Sequence, residues 1–477
     1  MKKSSRRSFI SNTSLGLGLG LLGIKSSWAS EIDTPENNVL SNIPKKHPKR
    51  FNMCNFAAPA IPNVRIGFIG LGNRGYAAPI RICHIEGVTV KAFCDIREEK
   101  VKASQDKLTS SGFEKAREYF GKKDAWKELC ESDDIDLVYI CTPWDSHTEM
   151  AVYAMEHGKH VAVEVPAAKT IDEAWQLVET SERTKKHCMM LENCCYDFFE
   201  LLTLNMARQG LFGELVHGEG AYIHNLMGHN FGKDVYYDMW RLKENAARNG
   251  NLYPTHGLGP VCQAMNINRG DKMEYLVSTS SADFEMAARA EELAKEDPFF
   301  KEFAGKTYRG NMNTTTVKTN KGRTIMIQHD VTTTRPYSRI HLLSGTKGIA
   351  RKYPLPGKIS FGHEWVAENE MKELEEKYTP EIVKKVGDMA KKVGGHGGMD
   401  FIMDWRLMDC LRNGLPLDQD VYDAALWSCI SPLSEESVAN RSKSMDIPDF
   451  TNGDWKTNKP VDISLKNGGN TKFIGNF

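Results

Sequence analysis

Three glycines and one carboxylate are the residues whose types and spacing first suggest chemistry. Gly70, Gly72 and Gly75 form a G-x-G-x-x-G run directly after the apolar stretch Val64–Ile69. Gly70 permits a tight turn, Gly72 lets the backbone approach a pyrophosphate, and Gly75 lets helix and strand pack closely. A helix opening there presents unpaired N–H groups and the positive end of its dipole to phosphates. A second apolar run, Val88–Cys94, ends in Asp95, 20 residues beyond Gly75. A carboxylate at that distance accepts ribose hydroxyls and repels a 2′-phosphate, which selects NAD over NADP.

The elements that would position these residues alternate. Glu98–Leu108 and Asp124–Glu131 have helical period, and Asp136–Thr142 reads as a buried strand stopped by Pro143. His147 opens a helix running to Gly158, His160–Glu164 is a strand, Ile171–Lys185 a helix and Met189–Asn193 a further strand. Strands alternating with helices predict an α/β fold with a doubly wound parallel sheet, a Rossmann domain over residues 63–195. Ligands of such sheets gather at the carboxyl ends of the strands. That rule sets Trp144, His147, Glu164, Asn193 and Tyr196 beside the nicotinamide.

Past Gly210 the rhythm changes. Val216–Tyr222, Met273–Asp283, Thr314–Thr319, Thr324–Thr333 and Arg339–Ser344 read as longer strands, several with period two. They predict an α+β domain over 196–448 with an open, mostly antiparallel sheet. Tyr253–Met265 and Phe401–Arg412 read as helices, and the charged stretch Glu364–Lys392 as a solvated helical excursion. Residues from Asp449 read as a loose C-terminal tail, 449–477.

The 62 basic and 62 acidic side chains cancel, so no global field draws the chain to nucleic acid. Eleven cysteines show no CxxC framework and read as buried small hydrophobes. No His, Cys or carboxylate group has metal-ligand spacing, so no metal is expected.

Residues 1–30 read as an address. Lys2, Lys3, Arg6 and Arg7 precede the apolar run Leu15–Ile24, which is too short to span a bilayer. Ser5–Ile10 resembles the twin-arginine export motif, and Ser27-Trp28-Ala29 offers a cleavage site. Export to the periplasm by the twin-arginine machinery is expected, with no stable membrane anchor and a polar arm over 31–62. An exported enzyme carrying trapped NAD suits chemistry that returns the cofactor to its starting state, because no external pool would regenerate it.

The motifs resemble the glucose–fructose oxidoreductase / inositol dehydrogenase (Gfo/Idh/MocA) family, which carries Glu-Lys-Pro after its fifth strand. Here the tripeptide is Glu164-Val165-Pro166. Loss of the lysine argues against a simple alcohol dehydrogenase. A narrower likeness rests on Leu71–Gly75, Thr142–His147, Glu164–Pro166, Met190–Tyr196, Tyr253–His256, Gly394–Asp400 and Pro416–Tyr422. Together, in this order, they resemble glycoside hydrolase family 109, the NAD-dependent α-N-acetylgalactosaminidases. The resemblance implies NAD contacts at Asn73, Arg74, Asp95, Trp144, His147, Glu164, Val165 and Asn193. It implies sugar contacts at Tyr222, Arg241, Tyr253, Pro254, Thr255, His256 and Tyr337, and an α-N-acetylgalactosaminyl glycan as substrate.

Most glycosidases use two carboxylates, with NAD-dependent families as exceptions. The redox route oxidises C3 of the sugar, which acidifies C2, so that a base can expel the aglycone; water adds back and C3 is reduced. His256 and Tyr253, three apart on one helical face, are candidates for its proton transfers. Tyr196 is a candidate to polarise the C3 oxygen, and Glu164 to orient the nicotinamide ribose or act as a base. Arg241 would hold the N-acetyl group or ring hydroxyls through its donor fork. The rival readings are a net NAD-dependent sugar oxidoreductase and a non-catalytic binding module. A homo-oligomer stays open.

Overall fold

The computed structural model describes residues 47–474. The export signal, its cleavage site and the first half of the expected arm lie outside them. No helix among the described residues is long and apolar enough to cross a membrane.

The first sheet is built from β1 (Val64–Ile69), β2 (Val88–Cys94), β3 (Arg117–Tyr119), β4 (Leu137–Ile140), β5 (His160–Val163) and β6 (Cys188–Met190). All are parallel, in the order β3-β2-β1-β4-β5-β6. Val64, Ile66 and Phe68 of β1 and all four residues of β4 and β5 are buried, as both faces of a doubly wound sheet require. β6 is shorter than its apolar run suggests, because the chain turns at Asn193–Tyr196 into a short 3₁₀ helix.

The second sheet has eight strands: β7 (Leu215–Ile223), β8 (Met273–Ser280), β9 (Met312–Thr319), β10 (Thr324–Asp330), β11 (Leu342–Gly345), β12 (Ile349–Arg351), β13 (Lys358–Ser360) and β14 (Met445–Asp446). Their order is β13-β12-β11-β7-β10-β9-β8-β14. Every pair is antiparallel except the central β7–β10 pair, which is parallel. Along β9 buried and more exposed positions alternate, so one face is covered and the other is open.

Two glycines set how closely the covering helix lies. A Cβ on Gly257 would stand 2.2 Å from the Ala221 nitrogen, and one on Gly220 2.3 Å from the Gly257 oxygen. The helix Thr255–Met265 therefore rests directly on β7. It begins at Thr255 with Pro254 as its N-cap, so Tyr253 precedes the helix instead of lying on it. The Tyr253 and His256 rings nevertheless meet edge-on, their centres 4.8 Å apart.

One helix is added to the expected elements, and two other expectations, the loose tail and the polar arm, are corrected. A 19-residue helix, Val421–Ala439, follows the Pro416–Tyr422 motif and is buried along most of its length. Its N-cap is Asp420, which accepts from the backbone N–H of Tyr422 and Asp423. Residues 449–474 are not loose, because Phe450, Trp455, Val461 and Thr471 are buried and Phe473 bridges back to Ile85. Apolar side chains in a polar stretch found cover there. Likewise Met53, Cys54 and Ala58 of the arm are buried, and the Met53 N–H donates to the Tyr422 hydroxyl at 3.1 Å. All eleven cysteines are free thiols, ten of them buried.

Candidate active site

A cleft of about 620 Å³ opens at the carboxyl ends of β1, β4 and β5, where the strand order reverses. At one end the glycine turn forms its floor. Gly70 has φ +85°, and a Cβ on Gly75 would lie 1.8 Å from the Gly70 oxygen. A Cβ on Gly72 would meet nothing nearer than 3.9 Å, so the backbone there faces open space. The Asp95 carboxylate accepts from the Leu71 N–H at 2.8 Å and the Arg97 N–H at 3.0 Å, which locks the turn to the end of β2. A glycine cradle closed by backbone at Gly70 and Gly75 and open at Gly72, with an acid at its rim, fits a dinucleotide.

Trp144, His147, Glu164, Val165 and Asn193 line the middle of the cleft. His147 places Nδ1 2.7 Å from the Pro166 oxygen and Nε2 2.8 Å from that of Thr142, bracing the segments after β4 and β5. Burial lowers its pKa although both carbonyl contacts oppose the fall. Arg74 is neutralised twice: Nε donates to Glu164 Oε1 at 2.9 Å and Nη1 to Asp400 Oδ2 at 3.0 Å. Asn73 also lines the cleft, and its Nδ2 donates to the Val235 oxygen at 3.0 Å.

The second domain closes the far end with Tyr222 of β7, Trp240 and Arg241 of the helix Trp240–Ala247, and Tyr253 and His256 around the start of the helix Thr255–Met265. The Arg241 guanidinium lies 4.9 Å from the Tyr253 ring centre, 5.5 Å from Trp144 and Tyr236, and 5.9 Å from Trp240. Its one side-chain hydrogen bond among the described residues is to the Tyr236 hydroxyl, at 3.2 Å. Among the described residues its charge is therefore met by ring faces and not by a carboxylate, and its remaining donors suit a carbonyl or hydroxyl guest. Burial pushes the phenol of Tyr222 up to about 12 and that of Tyr253 well above its ordinary value. Both therefore keep their protons at neutral pH and act as hydrogen-bond donors.

Four expected residues stand off the cleft. Tyr196 is buried in the core with its hydroxyl 3.4 Å from Asp418 Oδ2. A phenol that has found a buried polar partner cannot also polarise a substrate oxygen, so its assigned role is corrected. Pro254 and Thr255 supply the helix start beneath His256. Tyr337 is 39% exposed and touches the site only through ring contacts with Tyr222 and His224.

Other residues enter that sequence reasoning missed. Glu192, fully buried, places Oε1 and Oε2 2.8 and 2.9 Å from His256 Nδ1. Asp400 accepts from Asn193 Nδ2 at 2.5 Å and sits 2.9 Å from His396 Nδ1, drawing the Gly394–Asp400 loop onto the first domain. Val235, Tyr236 and Tyr237 cross the cleft as a strap. Glu192 and Asp400 both lie in the motifs of the family likeness. Their types gave no hint of role, because a buried carboxylate's partners come from distant parts of the chain. Among the described residues one trio brings metal-ligating atoms within 4.8 Å of one another, Glu192, Cys194 and His256.

Comparison with known proteins agrees with this division. A family profile described as "Glycosyl hydrolase 109, C-terminal domain" matches residues 196–457, and one described as "Oxidoreductase family, NAD-binding Rossmann fold" matches 64–192. The chain is 52% identical over 418 residues to a Bacteroides fragilis protein named alpha-N-acetylgalactosaminidase, covering 86% of this chain and 97% of that one. It is 50% identical over 414 residues to glycosyl hydrolase family 109 protein 2 of Phocaeicola vulgatus, covering 86% and 99%. Two solved structures share the fold. A levoglucosan dehydrogenase in complex with NADH and levoglucosan is 16% identical with TM-score 0.59, covering 81% of this chain and 100% of that one. The scyllo-inositol dehydrogenase of Lactobacillus casei with NAD(H) and scyllo-inositol is 14% identical with TM-score 0.57, covering 80% and 99%.

Proposed function

The chain belongs to glycosyl hydrolase family 109, and from that premise we propose that it is an exported hydrolase of terminal α-linked N-acetylgalactosamine that works by a redox-neutral route. The observation that carries this reading is one cleft shared by a dinucleotide cradle and a sugar-sized chamber. Gly70, Asp95 and Val165 line one part of it, and Arg241, Tyr253 and His256 the other. The relative named alpha-N-acetylgalactosaminidase supports the substrate class.

The glycine turn, Asp95, Trp144, Val165 and Asn193 would hold NAD. Bound there, it would supply a reversible hydride acceptor for C3 of the sugar. Glu164 accepts the hydrogen of the C3 hydroxyl, and Tyr253, which keeps its proton, donates a hydrogen bond to the C3 oxygen. His256 exchanges the C2 proton, and Arg241 orients the acetamido group. Valine at 165, where related oxidoreductases carry lysine, favours turnover that leaves NAD unchanged over net sugar oxidation. Export rests on Arg6 and Arg7, and replacing both with lysine should abolish recovery of the protein from the periplasm.

The test is hydrolysis of a chromogenic α-N-acetylgalactosaminide in deuterated water without added NAD, with mass analysis of the released sugar. Release with one deuterium at C2 is expected. No release, with reduction of added NAD by free sugars, would make the protein an oxidoreductase instead.

A further inference from the structure

Beneath the sugar chamber lies a carboxylate that is not part of the cleft lining and that caps the short 3₁₀ helix Asn193–Tyr196. The Glu192 side chain is fully buried at the turn after β6, and His256 is its ion-pair partner among the described residues. The approach is built. A Cβ on Gly259, three residues beyond His256, would stand 3.0 Å from Glu192 Cγ, so glycine there leaves room for the acid. The Cys194 N–H donates to Glu192 Oε1 at 3.0 Å and Gln419 Nε2 donates to the Glu192 carbonyl at 3.0 Å, fixing side chain and backbone together.

We propose that Glu192 is a positioning residue that fixes the tautomer of His256, holding the proton on Nδ1 so that Nε2 is the base for the substrate. This rests on the hydrolase reading given above. An ionised carboxylate only accepts hydrogen bonds, so the ring nitrogen 2.8 Å away must carry a hydrogen. The lone pair of the neutral ring is then on Nε2, and His256 lines the cleft. Burial presses the Glu192 carboxyl up, but His256 and the Cys194 N–H outweigh it and hold the group below its ordinary range.

Once C3 is a ketone, the C2 proton passes to Nε2 and the C2–H electron pair becomes the C1–C2 double bond. The C1–O pair departs with the aglycone oxygen, which takes a proton from water. The hydroxide so formed adds to C1 as Nε2, its hydrogen exchanged with solvent in the meantime, delivers a proton to C2. The imidazolium formed between these steps is stabilised by the carboxylate behind it, the logic by which an acid supports a catalytic histidine.

The same residues do not favour a metal. A zinc ion bonded to both a histidine nitrogen and a carboxylate oxygen at about 2.0–2.1 Å each would hold them roughly 3.3 Å apart. The observed 2.8 Å is an N–H···O distance. The Cys194 thiol, held far above its usual pKa by burial, donates at 3.5 Å to Asn193 Oδ1.

Two measurements test the assignment. Nitrogen-15 spectra of histidine-labelled protein, with His256 assigned by its loss in His256→Gln, should show the neutral ring protonated on Nδ1. An Nε2-protonated ring overturns the proposal whatever the substrate proves to be, so this arm is independent of the hydrolase reading. With the nucleotide-loaded enzyme, Glu192→Gln should lower kcat by about 10²–10⁴-fold. It should also move the acid limb of the kcat/KM profile about one pH unit lower. Glu192→Asp, which keeps the charge, should recover activity and leave the limb near its original place. An unmoved acid limb in a folded Glu192→Gln, near wild-type activity in that variant, or one equivalent of bound zinc whose chelation stops turnover would each overturn it.

Discussion

Arg74 Nη1 donates to Asp400 Oδ2 over 3.0 Å, tying the helix after the glycine turn to the first turn of the helix Met399–Asn413. Burial acts to raise the Asp400 carboxyl, yet His396, Arg74 and Arg81 together hold it well below the carboxylate range. A group whose folded pKa is depressed gives stability that is whole above its unfolded value, about 3.9, and is lost as pH falls through the folded value. Asp400→Asn should therefore cost about 3 kcal/mol at pH 7, the low end for breaking a buried pair because Arg74 keeps Glu164. The gap between wild type and variant should close as pH drops below about 4. Urea unfolding followed across that range measures both.

Gly75→Ala should strip the protein of nucleotide. Its Cβ would meet the Gly70 oxygen at 1.8 Å, a backbone atom that can move only by opening the turn. Overpacking of this kind costs about 1–3 kcal/mol in stability. The cofactor released by acid from purified variant should be at most about a tenth of the wild-type amount, and full loading would show that the turn tolerates the shift.

Arg241→Lys should raise KM for the glycoside about tenfold or more while nucleotide content stays unchanged. A lysine keeps the charge but cannot present a planar donor fork between the Trp144 and Tyr253 rings. An equal KM would remove Arg241 from substrate binding.

Tyr237→Ala should speed cofactor escape. The Arg97 guanidinium lies over the Tyr237 ring at 5.1 Å, while Asn73 Nδ2 holds the Val235 oxygen, so the strap is pinned beside the glycine turn and just beyond the end of β2. A partly exposed contact of this type is worth about 0.5–1 kcal/mol, or a two- to fivefold change in rate. Displacement of bound NAD by a fluorescent analogue in stopped flow reads it directly.

The sequence by itself determined the parallel sheet, the glycine turn and Asp95, because those depend on residue type at short, fixed spacing. It also located the Tyr253–His256 motif, though it drew the helix start at Tyr253, two residues early, because Pro254 caps the helix instead of continuing it. Tertiary structure alone decided which polar residues work together. Glu192 reaches His256 from 64 positions away, and Asp400 reaches Asn193 from 207. Tyr196, adjacent in sequence to that same turn, was drawn into the core by Asp418, 222 residues on. Hydrophobic period and turn chemistry are local and survive in a string of letters. The pairing of buried charges is set by which side chains the packing leaves facing each other, and only the folded chain supplies that.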